Sequence, residues 1–203
     1  MRERPILFNG AMVRAILAGQ KTQTRRAVKG IALDWLEKAQ FTPEYVASPG
    51  NDLCPFGQAG DRLWVRESFT DLRGTGIEHR PNINGPIQRY AYSADTRPGS
   101  PGDYARKDYG IKWRPSIHMP REACRLLLEI TAVRIERLHE ISEADALAEG
   151  IDHDAMNGYA LAGMHRSAGF AFRDLWTRTG GDWDTNPWVW VIEFNKINEV
   201  SNG

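Results

Sequence analysis

Cysteine is nearly missing from this chain, with only Cys54 and Cys124 among 203 residues. They stand far apart, with no Cys-x-x-Cys and no Cys/His cluster, which excludes a secreted disulfide framework and a structural zinc site. Net charge is missing as well: Lys plus Arg and Asp plus Glu number 26 each, so the chain does not hold nucleic acid by bulk charge as a histone does. No long apolar run occurs either. Trp188 to Ile192 falls far short of the ~20 residues of a membrane span, and residues 1 to 20 lack the apolar block and cleavage site of a signal peptide. These absences lead to the expectation of a cytoplasmic protein with no membrane, metal or cofactor to serve.

What is present is the makings of a packed core. Hydrophobic residues make up 41% and aromatic residues 10%, and the length fits one domain, residues 1 to 203, carrying insertions. Ala11 to Ala18 repeats Met12, Ile16 and Leu17 at helical spacing and stops at Gly19. The polar run Lys21-Thr22-Gln23-Thr24-Arg25-Arg26 then reads as extended or turning. Residues 1 to 30 hold seven basic side chains (Arg2, Arg4, Arg14, Lys21, Arg25, Arg26 and Lys29) against Glu3 alone.

Gly60-Asp61 precedes a strand at Arg62 to Glu67, and Leu126 to Ile135 reads as a strand that changes direction near Ala132. Ser142-Glu143-Ala144-Asp145 opens a helix that Gly150 ends, with Glu143 and Asp145 as capping residues. A second helix runs from about Ala168 to Arg178 and stops at Gly180-Gly181. The final strand, Trp188 to Phe194, is apolar on both faces through Ile192 and so should be buried on two sides. Two stretches stand outside this pattern: residues 31 to 57, and residues 71 to 111 with six Gly and four Pro, a long loop system broken by a short strand at Arg89 to Tyr92. His153 and Asp154 read as loop residues, and His118 as structural. Strands and short helices without regular β-α-β alternation indicate a small α+β barrel.

Six blocks in order carry a resemblance to a known family. They are Arg4 to Phe8, Ala18 to Arg26, Gly60 to Glu67, Trp113 to Pro120, Ile141 to Ile151, and Asn186 to Phe194. Together they resemble the ASCH family, of the type often encoded in phages and prophages. The resemblance implies a PUA-like β-barrel with short flanking helices and two insertions, at 31 to 57 and 71 to 111. It also implies RNA-related roles. A small member of the family removes the acetyl group from N4-acetylcytidine with a Lys, a Thr and a Glu. Its Lys-Thr-x-Thr segment matches Lys21 to Thr24, which carries the roles onto Lys21 and Thr24, and counting eight residues from Ile141 carries the third onto Glu149.

The chemistry suits those residue types. Deacylation needs a nucleophile, a base to activate it, and an acid for the leaving nitrogen. Thr24 supplies the hydroxyl, Lys21 the base once burial or nearby cations lower its pKa, and Glu149 the acid. In a regular strand, residues 21 and 24 point to opposite faces, so the segment must turn or bulge straight after Gly19. Arg25, Arg26, Trp64, Glu67 and Tyr92 are the candidate substrate contacts, with Trp64, Trp113 and Tyr92 able to stack on a base. The competing account places Trp64 and Trp190 in the core. The Tyr-bearing insertion at 71 to 111 is expected to fold over Lys21 to Thr24 and wall a pocket. The leading expectation is an amidohydrolase acting on a modified cytidine nucleoside or RNA, without a cofactor. A module that binds RNA or a modified base, or a ribonuclease, is the alternative.

Overall fold

The computed structural model describes residues 1–38, 40–80 and 84–197, so position 39 in the 31 to 57 stretch and positions 81–83 in the 71 to 111 stretch lie outside the described residues. In chain order the elements are β1 (Glu3–Leu7), α1 (Gly10–Leu17), β2 (Gln23–Ala27), α2 (Ile31–Glu37), α3 (Pro43–Ala47), β3 (Arg62–Arg66), β4 (Phe69–Asp71), β5 (Tyr90–Tyr92), α4 (Pro101–Asp108), β6 (Leu127–Arg137), α5 (Glu143–Ala148), α6 (His153–Leu161), α7 (Ser167–Arg178) and β7 (Trp188–Ile197).

Five strands form one sheet in the order β1-β3-β6-β7-β2, while β4 and β5 pair separately. β1 runs parallel to β3, and the other pairs are antiparallel. β7 lies between β6 and β2, which explains its apolar faces. Trp190, Ile192 and Phe194 point into a core with Ile6, Phe8, Leu63 and Leu128, while Val189 and Val191 point into another with Leu138, Ile141, Ala146 and Phe172. The direction change expected near Ala132 is a register shift of β6 against β7 between Ile130 and Ala132, where a residue is inserted and the strand bends.

The α+β class is as expected, but the sheet is open and not closed into a barrel. The reason is local. After Leu7 the chain breaks into α1, whose N-terminus is capped by the Asn9 side chain accepting from Met12 N at 2.9 Å. Among the described residues no backbone ladder joins β1 to β2; the gap is spanned by a side chain, Arg26 Nη2 donating to Leu7 O at 2.7 Å.

Both of the stretches set apart above, 31 to 57 and 71 to 111, contain more structure than their composition indicates. The first holds α2 and α3, and the second holds α4, begun by Ser100 accepting from Asp103 N with Pro101 in the first turn. His153 and Asp154 are helical rather than loop, because Asp152 caps α6 by accepting from Ala155 N at 2.8 Å. No helix among the described residues is long and apolar enough to cross a membrane.

Candidate functional site

The polar segment after α1 does turn straight after Gly19. That residue adopts φ 74°, where a side chain would be strained, and Gln20 N and Lys21 N both donate to Ala15 O at 2.8 and 3.1 Å. Lys21 then pairs as an isolated antiparallel bridge with Glu149, and Thr22 N donates to Ala148 O at 2.8 Å. The end of α5 is thereby stitched to the start of β2. Two residues far apart in sequence meet because one helix end and one strand start share backbone hydrogen bonds.

At this junction Lys21 and Glu149 form a buried ion pair, with Nζ to Oε2 at 2.7 Å and side-chain exposures of 0% and 3%. Lys21 Nζ also donates to Gln23 O at 2.8 Å and Glu149 O at 2.9 Å, so all three ammonium protons have acceptors. Burial pushes the Lys21 pKa down, the Glu149 carboxylate opposes this, and Arg26 and Arg25 add to the downward push.

Arg25 approaches Glu149 from the other side, with Nη1 donating to Oε1 at 3.2 Å. It is fully enclosed and also donates through Nε to Glu136 Oε1 at 3.1 Å, with Asp145 Oδ2 at 3.5 Å from Nη2. Asp145 thus does more than cap α5. It accepts from Gln23 Nε2 at 3.0 Å and from Arg134 Nη2 at 3.1 Å. Burial would raise its pKa, but the hydrogen bonds from Ser142 and Gln23 and the charge of Arg25 hold it at about 2.

Thr24 sits on the opposite face of β2 from Arg25. Its register partner is Ile192 and that of Arg26 is Trp190, so Thr24 and Arg26 face the core that contains Phe8. Thr24 is 3% exposed, and its hydroxyl makes no hydrogen bond among the described residues. Beside it lies a cavity of about 910 Å³ whose polar wall includes Thr24, Arg25, Arg26, Lys29 and Glu149, and whose apolar wall includes Phe8, Phe56, Phe172, Trp176 and Trp190. Leu7 and Phe8 line it from the end of β1 and Thr24 to Ala27 from β2. The cavity therefore occupies the place where a closed barrel would pair those strands.

Of the sequence candidates, Thr24, Arg25, Arg26 and Glu149 line this cavity, and Lys21 stands directly behind Glu149. No hydrogen bond joins Lys21 to Thr24. Trp64, Glu67 and Tyr92 are not among the cavity's lining residues. Trp64 is half-buried on the outer face of β3, with the Arg66 guanidinium 5.3 Å from its ring, so only Trp190 of the two core assignments is fully buried. Glu67 is buried in a bidentate pair with Arg125, at 2.9 and 3.0 Å, and burial raises its pKa against the pull of that guanidinium. Tyr92 packs with Phe69, Met119 and Ala123, donates its hydroxyl to Ala123 O at 2.7 Å, and carries Arg125 3.9 Å over its ring.

The stretch expected to wall the pocket does not line this cavity with any described residue from 71 to 111, and Tyr104 and Tyr109 are exposed; its Arg97 lines a separate cavity with Gln20, Glu149 and Gly150. Sequence reasoning also missed Glu136 and Asp145 as partners of Arg25, and Phe172 and Trp176 as cavity walls. The available signal was acidic residues at inward positions near a fully apolar strand. Among the described residues no cluster of His, Cys, Asp or Glu could hold a metal ion.

No protein-family model and no curated protein matches this chain. Solved structures similar to it at low identity include the following two. An ASCH domain from Lactobacillus crispatus JV V101 is 13% identical with TM-score 0.40, over 96% of this chain and 79% of that one. Protein EF3133 from Enterococcus faecalis V583, of DUF984, is 11% identical with TM-score 0.39, over 100% of this chain and 85% of that one.

Proposed function

We propose that this protein is an amidohydrolase that removes the acyl group from N4-acetylcytidine or a related N4-acylated cytidine. The observation that supports this reading is the pairing of the Thr24 hydroxyl, which makes no hydrogen bond among the described residues, with a cavity lined by Glu149, the ion-pair partner of buried Lys21. A hydroxyl with no partner in a polar wall is available to an incoming carbonyl, and the pair behind it is a store for one mobile proton.

In the resting form Lys21 donates all of its protons and cannot act as a base. Transfer of one proton across the 2.7 Å contact gives a neutral amine and a carboxylic acid, and burial favours that neutral form. Lys21 then leaves Gln23 O and takes the Thr24 proton as Oγ1 bonds to the acyl carbon. The C–N4 bond breaks as Glu149 gives its proton to N4, and cytidine departs. Water attacks the Thr24 ester, passes a proton to Glu149, and Thr24 Oγ1 recovers its proton from Lys21, releasing the acid. The hydrogen bond from Thr24 to Lys21 forms only with substrate bound, as catalytic contacts often do.

The reading is tested by liquid chromatography of N4-acetylcytidine incubated with the purified protein. Conversion to cytidine is expected, and unchanged nucleoside overturns it. Thr24→Val should abolish the conversion without loss of stability, since the hydroxyl it removes has no partner among the described residues. Glu149→Gln should lower kcat by about 10² to 10⁴ with a smaller change in KM. The alternative of a module holding RNA through the basic stretch draws little from Arg25, whose charge is enclosed by Glu136, Asp145 and Glu149.

A further inference from the structure

The neighbouring arginines of β2 have opposite fates. Arg25 meets three carboxylates. Arg26 meets none within ion-pair distance among the described residues. Its hydrogen bonding amounts to Nη2 on Leu7 O at 2.7 Å. Its Nε is buried without an acceptor, Nη1 makes no hydrogen bond among the described residues, and its guanidinium carbon lies 5.3 Å from the Phe8 ring centroid. Burial pushes its pKa down, the mark of a cation held where water solvates it poorly.

Lys29, three residues further along, also lines the cavity, is exposed, and has no ion pair among the described residues. The cavity's one carboxylate among those residues, Glu149, is already shared between Lys21 and Arg25. The cavity therefore carries two cations with no carboxylate at ion-pair distance among the described residues, Arg26 feeling Glu149 only through its more distant charge. Arg26 is half-buried with its Nε shut away from water, so its charge is costly to leave unpaired, while Lys29 is exposed and solvated; guanidinium matches phosphate geometry with two parallel donors.

We infer that the cavity's ligand carries a phosphate seated on Arg26 and Lys29. Resting on the deacylation proposed above, the preferred substrate is then an N4-acylated cytidine 5′-monophosphate and not the free nucleoside. The order along the strand fits that molecule. Thr24, which takes the acyl group, precedes Arg26 by two residues, roughly 7 Å of strand, and Lys29 lies three residues beyond. In a cytidine nucleotide the N4 group and the 5′-phosphate likewise stand at opposite ends. The volume of about 910 Å³ is within the ~300–1,000 Å³ of ligand pockets.

The test compares N4-acetylcytidine with its 5′-monophosphate as substrates, and cytidine with cytidine 5′-monophosphate as ligands by titration calorimetry. The monophosphate should show kcat/KM about tenfold or more above the nucleoside, carried by KM, as a charge-assisted contact predicts. Arg26→Gln should bring that ratio to about one, and Lys29→Gln, at an exposed position, should lower it part of the way. Equal kcat/KM for both substrates, or an equal fall on both in Arg26→Gln, overturns the proposal and assigns Arg26 to the acyl carbon instead. Faster deacylation of an acetylcytidine-containing oligoribonucleotide than of the monophosphate also overturns it, since the phosphate would then be a diester. If neither substrate is deacylated, the reaction assigned to the cavity falls while the phosphate seat is still decided by calorimetry. Tighter binding of the monophosphate than of cytidine, lost in a folded Arg26→Gln, supports the seat; equal binding, or none, overturns it.

Discussion

A lysine sealed from solvent keeps its proton only while its acceptors stay in place. Lys21 is among the largest fully buried side chains of the molecule, so its replacement disturbs the fold as well as the site. Burial lowers its folded pKa below the ~10.4 of an exposed lysine. Between those two values the unfolded chain binds a proton that the folded chain has released, so stability rises with pH across that window. Below it both states are protonated and the contribution is flat. Lys21→Met should abolish that rise in denaturant titrations run at successive alkaline pH values. It should also destabilise at neutral pH, by less than the ~3–5 kcal/mol of stranding a buried ion, because Arg25 still pairs with Glu149. A wild-type stability that falls through the window would contradict this account.

Elements place these residues, and glycines at their ends set the fit. Gly150 follows the C-terminal residue of α5's cap, Glu149, with φ 87°. A Cβ there would meet Ala15 Cβ at 2.8 Å and Lys21 Cβ at 2.9 Å, closer than real atoms approach. Gly150→Ala should therefore push α1 and the Lys21 segment apart, lowering the melting temperature and the deacylation rate together. Gly158, inside α6 with nothing near its would-be Cβ, is the control. Gly158→Ala should stabilise by about 0.4–1 kcal/mol.

Sequence made elements with both a periodic pattern and a stop signal legible, as with α1 before Gly19 and α7 before Gly180. Weakly apolar helices were less visible: α6 buries no residue fully, so periodicity had nothing to report and only its Asp152 cap marked it. Lys21, Thr24 and Glu149 were reached through a resemblance, whereas Glu136 and Asp145 depend on strand register and helix packing that no local pattern encodes.

At the scale of the whole molecule, openness of the sheet and position of the cavity are one fact, since Leu7, Phe8 and Thr24 to Ala27 line it from the two unpaired edges. The 71–111 segment meets α1, where Arg14 Nη1 donates to Ala94 O at 3.1 Å, and is clamped further off by Arg125. Arg125 joins Glu67, at the end of β3, to Asp95 of that segment, donating to both Asp95 oxygens at 2.6 and 3.0 Å while covering the Tyr92 ring. Arg125→Ala removes the clamp and leaves Glu67, 1% exposed, with an uncompensated charge, for which breaking a buried pair costs about 3–5 kcal/mol. Burial already raises the Glu67 pKa, so the variant's carboxyl should hold its proton to higher pH, and its stability should fall as pH rises from the unfolded value of ~4.3 up to that raised pKa, where the unfolded state is ionised and the folded state is not, and level off above it. Limited proteolysis should then cut between 71 and 111 sooner than in the wild type. Deacylation measured below the variant's unfolding temperature should persist, because no described residue of that segment lines the cavity. An unchanged cleavage pattern would show that Arg125 does not hold the segment, and loss of deacylation in the folded variant would show that the segment reaches the cavity after all.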